Sequence, residues 1–335
     1  MFSKRFCFWL FIWITISSLS ACQSVDKTFN QQKQIATSAT PLTLTNIYQE
    51  GHFTTDNISK IRWLKNKTAY TVIEDSAKET TNEEGKLASI GNEIVIYQGD
   101  NFDRSILITA AQLTPKHKEK PLDIDNYIWS EDQQKLLIYT NSKKVWRSNS
   151  RGDYWLLDLT TNQLTQLGAD NMHDSQLMFA KFSDDASQVA YVLSNNIYVQ
   201  NLTTLKITQL THSANKDADS GIINGLFDWV YEEEFLIRDG FRWSPDGKKI
   251  AYWQLDTSGS KDFIMINNTD DLYPTLTKFP YPKVGETNAL AKVGVVDLTS
   301  KKTTWTKLPN NSRNMYIPRM NWSGNSKEIL VQHVN

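Results

Sequence analysis

The chain has 335 residues, of which 40% are hydrophobic and 22% charged. This composition is that of an ordinary globular protein, and it excludes collagen-like, coiled-coil and wholly disordered chains. Lys and Arg number 36 and Asp and Glu 37, giving a net charge of −1. Because no basic excess is available to bind phosphates, nucleic acid is not expected as a partner. An aromatic content of 11% with eleven Trp favours a β-rich core.

The first 22 residues have the pattern of a targeting signal. Lys4 and Arg5 precede nine apolar residues, 6–14, a run too short to cross a membrane as a helix and typical of a signal-peptide core. The sequence Leu-Ser-Ala-Cys at 19–22 resembles a bacterial lipobox. That resemblance implies a lipoprotein signal peptide at 1–21, cleavage before Cys22 and a lipid on its sulfur; an ordinary secretory signal with an incidental Cys is the alternative.

The segment that follows is polar and has almost no apolar periodicity, so residues 22–41 are expected to be a lipid-anchored flexible tether. Gln rather than Asp stands at position 23. By the sorting pattern of bacterial lipoproteins, this indicates a protein of the cell envelope, held by lipid on the outer membrane and facing the periplasm.

Cysteine and histidine placement argues against a metal centre. Cys7 and Cys22 are the only cysteines, so the body of the chain has neither a disulfide nor a Cys ligand set. The five histidines are scattered, with no H-x-x-x-H pair. We therefore expect no metal site and no cofactor.

A repeated unit runs through the rest of the chain. It consists of an aromatic residue, a short polar turn that begins with Ser, and then an apolar triplet; the copies begin at Trp129, Phe182, Trp243 and Trp322, with a degenerate copy from Trp63 to Tyr70. Each copy predicts a strand, a tight turn and a buried strand. Pro245 presets φ in the turn of the third copy, and Gly247 can adopt a positive φ.

Further strand signals follow three of these units, at 154–159, 197–202 and 293–298, and Thr-rich stretches follow the first two. Four short strands per 50–80 residues are typical of a β-propeller blade. The sequence therefore predicts an all-β fold, a partial β-propeller of about five blades over residues 42–335. Because Asn335 comes directly after a strand signal, we expect an incomplete propeller with an open edge.

Residues 225–243 interrupt the blade pattern. Asp228 is a good N-cap, so we expect a short inserted helix at about 228–237, with its apolar residues at 229, 230, 235 and 236 packed on the propeller. Three successive carboxylates, Glu232 to Glu234, lie in it. They predict either a solvated helix face or a cation site, since paired carboxylates suit an ammonium with three N–H donors.

The octapeptide Asp228–Phe235 closely resembles the double-Glu motif of the dipeptidyl peptidase IV family, within the prolyl oligopeptidase clan of serine peptidases (family S9). The resemblance extends to the W-S-P-D-G unit at Trp243, to the P-Y-P-K segment at Pro280, to Trp146-Arg147 and to the L-T-L-T-N-I-Y segment at 42–48. Taken alone, Arg147 is better explained as a surface arginine, and the two prolines of P-Y-P-K as part of a blade loop.

The resemblance implies an eight-bladed N-terminal propeller followed by an α/β-hydrolase domain, with substrate held between them. It implies that Glu233 and Glu234 bind the α-ammonium of a peptide, with Glu232 as a flanking acid, and that Arg147 holds the double-Glu segment and reaches a substrate carbonyl. Such a site makes the enzyme an exopeptidase that releases N-terminal X-Pro or X-Ala dipeptides. Family-type homodimers are expected only of the complete protein.

The chain contains no G-x-S-x-G nucleophile elbow, so we expect the hydrolase domain and about three blades to be absent and this chain to be inactive alone. Three hypotheses remain. The chain is the front part of a dipeptidyl peptidase IV-like lipoprotein, a non-catalytic propeller that binds peptide N-termini or partner proteins, or an unrelated scaffold propeller with a solvated Glu run.

Overall fold

The computed structural model describes residues 42–55, 59–81, 85, 87–170, 172–213, 221–308 and 313–334. The predicted signal peptide, the lipid site at Cys22 and the whole of the predicted tether lie outside these ranges and stay predictions. The chain divides into two units, Met1–Ile58 and Ser59–Asn335. Of the first unit, the described part contains the helix α1 (Leu44–Tyr48), which begins where the Thr43 hydroxyl accepts a hydrogen bond from the Asn46 N–H at 3.1 Å.

The described part of the second unit is almost entirely β-structure, with one short helix, α2 (Trp229–Glu234). Its strands in chain order are β1 (Arg62–Trp63), β2 (Ala69–Asp75), β3 (Glu79–Thr81), β4 (Leu87–Ser89), β5 (Asn92–Gln98), β6 (Asp103–Ile108), β7 (Ile124–Trp129), β8 (Lys135–Val145), β9 (Ser148–Asp158), β10 (Gln163–Gln166), β11 (Leu177–Phe182), β12 (Gln188–Leu193), β13 (Asn196–Asn201), β14 (Ile207–Gln209), β15 (Ile222–Asn224), β16 (Phe241–Trp243), β17 (Lys249–Asp256), β18 (Asp262–Asn267), β19 (Thr275–Pro280), β20 (Leu290–Asp297), β21 (Thr303–Trp305), β22 (Tyr316–Trp322) and β23 (Ile329–Val334). Among the described residues, no helix is long and apolar enough to span a membrane.

The strands form successive four-stranded antiparallel blades. Blade 1 has the order β1-β2-β5-β6, blade 2 comprises β7 to β10, and blade 3 comprises β11 to β14. In blade 4, β17 pairs on one edge with both β15 and β16, and on the other with β20, which pairs with β21. The two strands β22 and β23 form a further sheet. The predicted all-β fold with propeller blades is confirmed.

Blades 2 and 3 are joined by backbone pairing. Strand β9 continues beyond its own blade, and its residues Arg151 and Gly152 pair with Met178 and Leu177 of β11. The two blades therefore form one eight-stranded sheet. The extension matters for the site described below, because β8 and β9 carry Arg147 at their far end.

The predicted turns repeat one arrangement of hydrogen bonds. In each, the Ser hydroxyl donates to a side-chain oxygen two residues later, in the pairs Ser130–Asp132 at 2.6 Å, Ser183–Asp185 at 2.6 Å, Ser244–Asp246 at 2.7 Å and Ser323–Asn325 at 2.6 Å. These bonds hold the three carboxyl pKa values below their usual range. Gly247 has φ +66°, as predicted, whereas Gln133, Ala186 and Ser326 adopt the same conformation without being glycine.

The tryptophans of the repeat connect blade 2, blade 4 and the β22–β23 sheet to the preceding blade, whereas the blade 3 copy has Phe182 at this position. The indole N–H groups donate to an acceptor of the preceding blade, in the pairs Trp129–Thr71 Oγ1 at 3.2 Å, Trp243–Lys181 O at 3.2 Å and Trp322–Arg242 O at 3.1 Å. The hydrophobic cores also lie between sheets: one joins Ile94 and Ile108 of blade 1 to Leu136 and Trp155 of blade 2. Successive sheets are therefore held together by both indole hydrogen bonds and shared hydrophobic cores.

Helix α2 lies where the first strand of blade 4 is split. Strands β15 and β16 pair with the same edge of β17, and residues 225–240 leave the sheet between them. The helix is shorter than the predicted 228–237. It ends at Glu234 because Leu236 adopts φ +55° and turns the chain back, so that the Ile237 N–H bonds to the Tyr231 carbonyl. The predicted packing of Leu236 is therefore wrong, since this residue is 72% exposed.

Candidate functional site

Arg147 lies at the tip of the β8–β9 hairpin. Val145 pairs with Ser148, so Trp146 and Arg147 form a two-residue turn, and Trp146 adopts φ +52° as such turns require. The Trp146 ring packs against Phe279 at a centroid distance of 4.4 Å. The tip is thus fixed by backbone pairing and by an aromatic contact with β19.

Gly152 lies where β9 extends beyond its own blade, and the packing at this position leaves no room for a side chain. An added Cβ at this position would stand 2.3 Å from the Tyr139 ring and 2.9 Å from the Thr140 carbonyl oxygen. The same Tyr139 donates its hydroxyl hydrogen to the Arg151 carbonyl at 2.6 Å. The Tyr139 ring therefore packs directly on the backbone of Gly152, and this contact stabilises the base of the hairpin.

Replacing Gly152 with Ala is expected to reduce the free energy of unfolding by about 1–3 kcal/mol, because the ring and strand must move apart to admit the methyl group. Denaturant unfolding of the purified chain measures the change. Gly324→Ala is the matched control, since nothing lies within 4 Å of an added Cβ there, and it should alter stability by less than about 0.5 kcal/mol. Equal effects of the two substitutions would contradict the steric role of Gly152.

Two buried side chains, Asp228 and Tyr231, hold helix α2 in place. Asp228 caps it, accepting a hydrogen bond from the Tyr231 N–H at 3.2 Å, and burial raises the Asp228 pKa to about 6. The Tyr231 side chain is buried, stacks on Phe227 at 5.2 Å, and accepts a hydrogen bond from the Ile317 N–H at 3.0 Å through its hydroxyl oxygen. The cap and the Tyr231 anchor hold the orientation of the three glutamates that follow.

The three glutamates have three different environments. Glu232 is buried, with 3% of its side chain exposed, and faces Arg238 Nε at 3.8 Å. Glu233 is 12% exposed and forms an ion pair with Arg147, with Oε2 2.7 Å from Nε, whereas the Arg147 side chain is 79% exposed. Glu234 is exposed at the helix end. The hypothesis of a solvated helix face is therefore wrong for two of the three residues.

An open groove of about 570 Å³ adjoins Glu234. Aromatic rings wall part of it: Trp229 and Tyr281 have centroids 4.3 Å apart, and Phe263 lies 5.4 Å from Tyr281. Tyr281 and Pro282, of the P-Y-P-K segment, lie in the loop that follows β19, whereas Pro280 ends the strand itself. The predicted loop thus lies beside the double-Glu helix and lines its groove.

The arrangement can bind a ligand that carries a positive charge next to a hydrogen-bond acceptor. Glu233 and Glu234 supply carboxylates at successive positions, and the exposed Arg147, which pairs with Glu233 through Nε, has further N–H donors. No group of three or more His, Cys, Asp or Glu side chains suited to a metal ion occurs among the residues that the structure describes.

Some residues of this region were missed by sequence reasoning. The pairing of Glu232 with Arg238 had no signal, because a Glu and an Arg six residues apart do not face each other on a regular helix. There was also no signal in the sequence that Phe263 lines the groove, because β18 and β19 form a hairpin separate from the sheet of β17 and β20. Trp229 and Tyr316, which both line the groove, were visible only as apolar or aromatic positions in a chain rich in both.

Comparison with known proteins connects this site to a family. A family model described as the dipeptidyl peptidase IV (DPP IV) N-terminal region matches residues 130–335, which include Arg147, Glu233 and Glu234. The chain belongs to this family. The resemblance predicted from the double-Glu motif is confirmed.

Individual members of the DPP IV family agree with this assignment. Dipeptidyl aminopeptidase B of Saccharomyces cerevisiae is 28% identical over 220 residues, 64% of this chain and 26% of the yeast protein. Inactive dipeptidyl peptidase 10 of Mus musculus is 30% identical over 205 residues, 60% of this chain and 25% of that protein. The crystal structure of Porphyromonas gingivalis dipeptidyl peptidase 4 superposes with a TM-score of 0.72 at 25% identity, over 88% of this chain and 39% of its own. The matches span about a quarter of the length of these curated relatives.

Proposed function

We propose that the DPP IV-like region of this chain is the substrate-recognition part of a serine exopeptidase that releases N-terminal X-Pro or X-Ala dipeptides. In this proposal Glu233 and Glu234 hold the α-ammonium of the peptide, and Arg147 donates to a carbonyl of its first residues. The observation that carries the proposal is the ion pair between Arg147 Nε and Glu233 Oε2 at 2.7 Å, beside the exposed Glu234.

The chemistry of the pair fits a peptide N-terminus better than an internal peptide segment. An α-ammonium has three N–H donors and a positive charge, and two adjacent carboxylates supply both acceptors and negative charge. An internal peptide nitrogen offers one donor and no charge, so it leaves these carboxylates without a counterion. Each charge-assisted hydrogen bond contributes about 1.5–3 kcal/mol, enough to select free N-termini.

Arg147 has two tasks in this proposal. Its Nε holds Glu233, which fixes the acceptor oxygens on one side of the ammonium. Its side chain stays 79% exposed, so further N–H donors are accessible to a substrate carbonyl. The chain has no G-x-S-x-G sequence, and the proposal therefore assigns recognition, not hydrolysis, to these residues.

A second candidate is a non-catalytic propeller that binds peptide N-termini or partner proteins. The similarity to the mouse protein named inactive dipeptidyl peptidase 10, at 30% identity, favours it, since the name describes a relative with this region but without activity. The binding chemistry is the same in both candidates. They differ in whether the bound peptide is cleaved.

Isothermal titration of the chain with the tripeptide Ala-Pro-Ala and with its N-acetylated form tests the recognition role. Binding of the free peptide is expected, with at least about tenfold weaker binding of the acetylated one, because acetylation removes the charge and two N–H donors. Equal affinities for the two peptides, or no binding of either, would contradict the proposal. Release of Ala-Pro by a longer protein in which this region is joined to a hydrolase domain, measured by chromatography, distinguishes the front part of an enzyme from a non-catalytic binder.

A further inference from the structure

Glu232 has an unusual environment for a carboxylate. Its side chain is 97% buried, and among the described residues no donor forms a hydrogen bond with its Oε2. A buried carboxylate without such a bond has a large desolvation cost, which a structure retains only where the group has a use or a compensating charge. The compensating charge here is Arg238.

The contact with Arg238 is an ion pair without a hydrogen bond. Nε of Arg238 lies 3.8 Å from Oε2, beyond hydrogen-bond reach, and is itself buried with no partner in the described part of the chain. Glu232 is also the only carboxylate within 4 Å of Arg238 among those residues. The two groups therefore neutralise each other through charge alone, and no hydrogen bond between them fixes the Glu232 carboxylate.

The pair adjoins, along the chain and through a cavity, the residues proposed to hold the ammonium. Glu232 precedes Glu233 in α2, and Arg238 lines a cavity of about 190 Å³ together with Ser148 to Ser150, the residues that follow Arg147 in β9. Ser150 is 94% buried, and its hydroxyl in this cavity also has no hydrogen-bond partner in the described ranges. Buried polar atoms without a hydrogen-bond partner in the described ranges therefore lie next to both the helix that carries the glutamates and the hairpin that carries Arg147.

We propose that Glu232 is a positioning residue of the ammonium site, a third carboxylate whose ionisation, balanced by Arg238, sets the pH range in which Glu233 and Glu234 hold a peptide α-ammonium. This proposal rests on the function proposed above. When Glu232 is ionised, the C-terminal half of α2 carries an additional negative charge near the ligand. With Glu232 neutral, that charge is lost and Arg238 is left as an uncompensated cation nearby.

The charges that act on Glu232 can be named. Its pKa is raised to about 7, chiefly by burial, which Arg238 partly offsets, and to a smaller extent by the negative charges of Glu233 and Asp228. Arg147 acts one step away through its bond to Glu233. A bound ammonium adds a positive charge and favours the ionised form of Glu232, so binding lowers this pKa and affinity rises with pH through about 7.

The test is the affinity of the chain for Ala-Pro-Ala as a function of pH, in wild type and in Glu232→Gln. If binding lowers the Glu232 pKa by about one unit, the ratio of wild-type to variant affinity rises from about one at pH 5.5 to about sixfold at pH 7.5. Loss of the proton from the peptide amine near pH 8 affects both proteins equally, so it cancels in the ratio. A ratio that stays constant between these pH values would overturn the proposal.

Arg238→Gln gives a second check, because it should shift the pH at which affinity rises, whereas Glu232→Gln should remove that rise. Because Arg238 lowers the Glu232 pKa, its removal should move the rise in affinity to higher pH, whereas a purely structural role would change affinity equally at all pH values. If Glu232→Gln fails to fold, the carboxyl ¹³C signal of Glu232 in the wild-type chain is titrated instead. Its midpoint should fall by about one unit when the peptide is added, and an unchanged midpoint would overturn the proposal.

The outcomes separate this inference from the function on which it rests. If wild type binds Ala-Pro-Ala but shows the same pH profile as Glu232→Gln, only the role of Glu232 fails. If wild type fails to bind the free peptide at any pH between 5.5 and 8, the recognition function fails, and the role of Glu232 fails with it.

Discussion

The double substitution Glu233→Gln and Glu234→Gln is expected to abolish measurable binding of peptides with a free N-terminus. Each substitution keeps the shape of the side chain and removes a charge-assisted contact of about 1.5–3 kcal/mol. Together they should weaken binding by at least about a hundredfold, since each 1.4 kcal/mol is tenfold. Titration with Ala-Pro-Ala at pH 7.5 measures the loss, and in a complete peptidase of this kind dipeptide release should disappear with it.

The control is Glu131→Gln, in the turn between β7 and β8. Glu131 is an exposed glutamate that pairs with Lys65, and exposed pairs contribute little to stability. Affinity for the peptide should therefore stay at the wild-type level in this control. Wild-type affinity in the double variant would show that the carboxylates of α2 do not hold the ammonium.

The largest effect on stability is expected from Trp253→Ala. This side chain is 1% exposed, lies edge-on to Phe227 at 5.1 Å, and donates its indole N–H to the Ile317 carbonyl at 2.9 Å. Truncation leaves a large cavity beneath α2 and an unpaired carbonyl, so the free energy of unfolding should fall by about 3–5 kcal/mol. Chemical denaturation followed by circular dichroism measures this loss.

Trp63→Ala provides the comparison for Trp253. Trp63 is 63% exposed and contacts the Tyr70 ring at 5.3 Å, so its removal should cost clearly less than removal of the buried ring. Trp253→Phe should fall between the two, because it restores part of the volume but not the N–H donor. A Trp253→Ala chain as stable as Trp63→Ala would contradict the anchoring role of Trp253.

The blades could be predicted from sequence because their turns are built from local contacts. In the third copy of the repeat, Ser244 bonds to Asp246 and its N–H bonds to the Lys249 carbonyl, all within six residues. Such short-range chemistry repeats wherever its residues repeat. The helix was predicted for the same reason, since its N-cap Asp228 and the residues it caps are adjacent.

The parts that could not be predicted depend on contacts between distant residues or on unusual backbone angles. Nothing in the composition of 228–237 shows that Leu236 adopts a positive φ, which ends the helix and brings Arg238 back towards Glu232. The position of Arg147 against Glu233 depends on how far β8 and β9 extend beyond their blade. The family resemblance indicated that pair, whereas the residues alone favoured a surface arginine.

The anchoring of α2 to β22 has a consequence for the order of folding during synthesis. Blades made of sequence-adjacent hairpins can form as they leave the ribosome, since their contacts are local. The Tyr231 hydroxyl and the Trp253 indole, however, find their partners on the backbone of Ile317, 86 and 64 residues later. The hairpin that carries Arg147 can therefore form early, but the glutamates reach their final orientation only after β22 has been made and has docked.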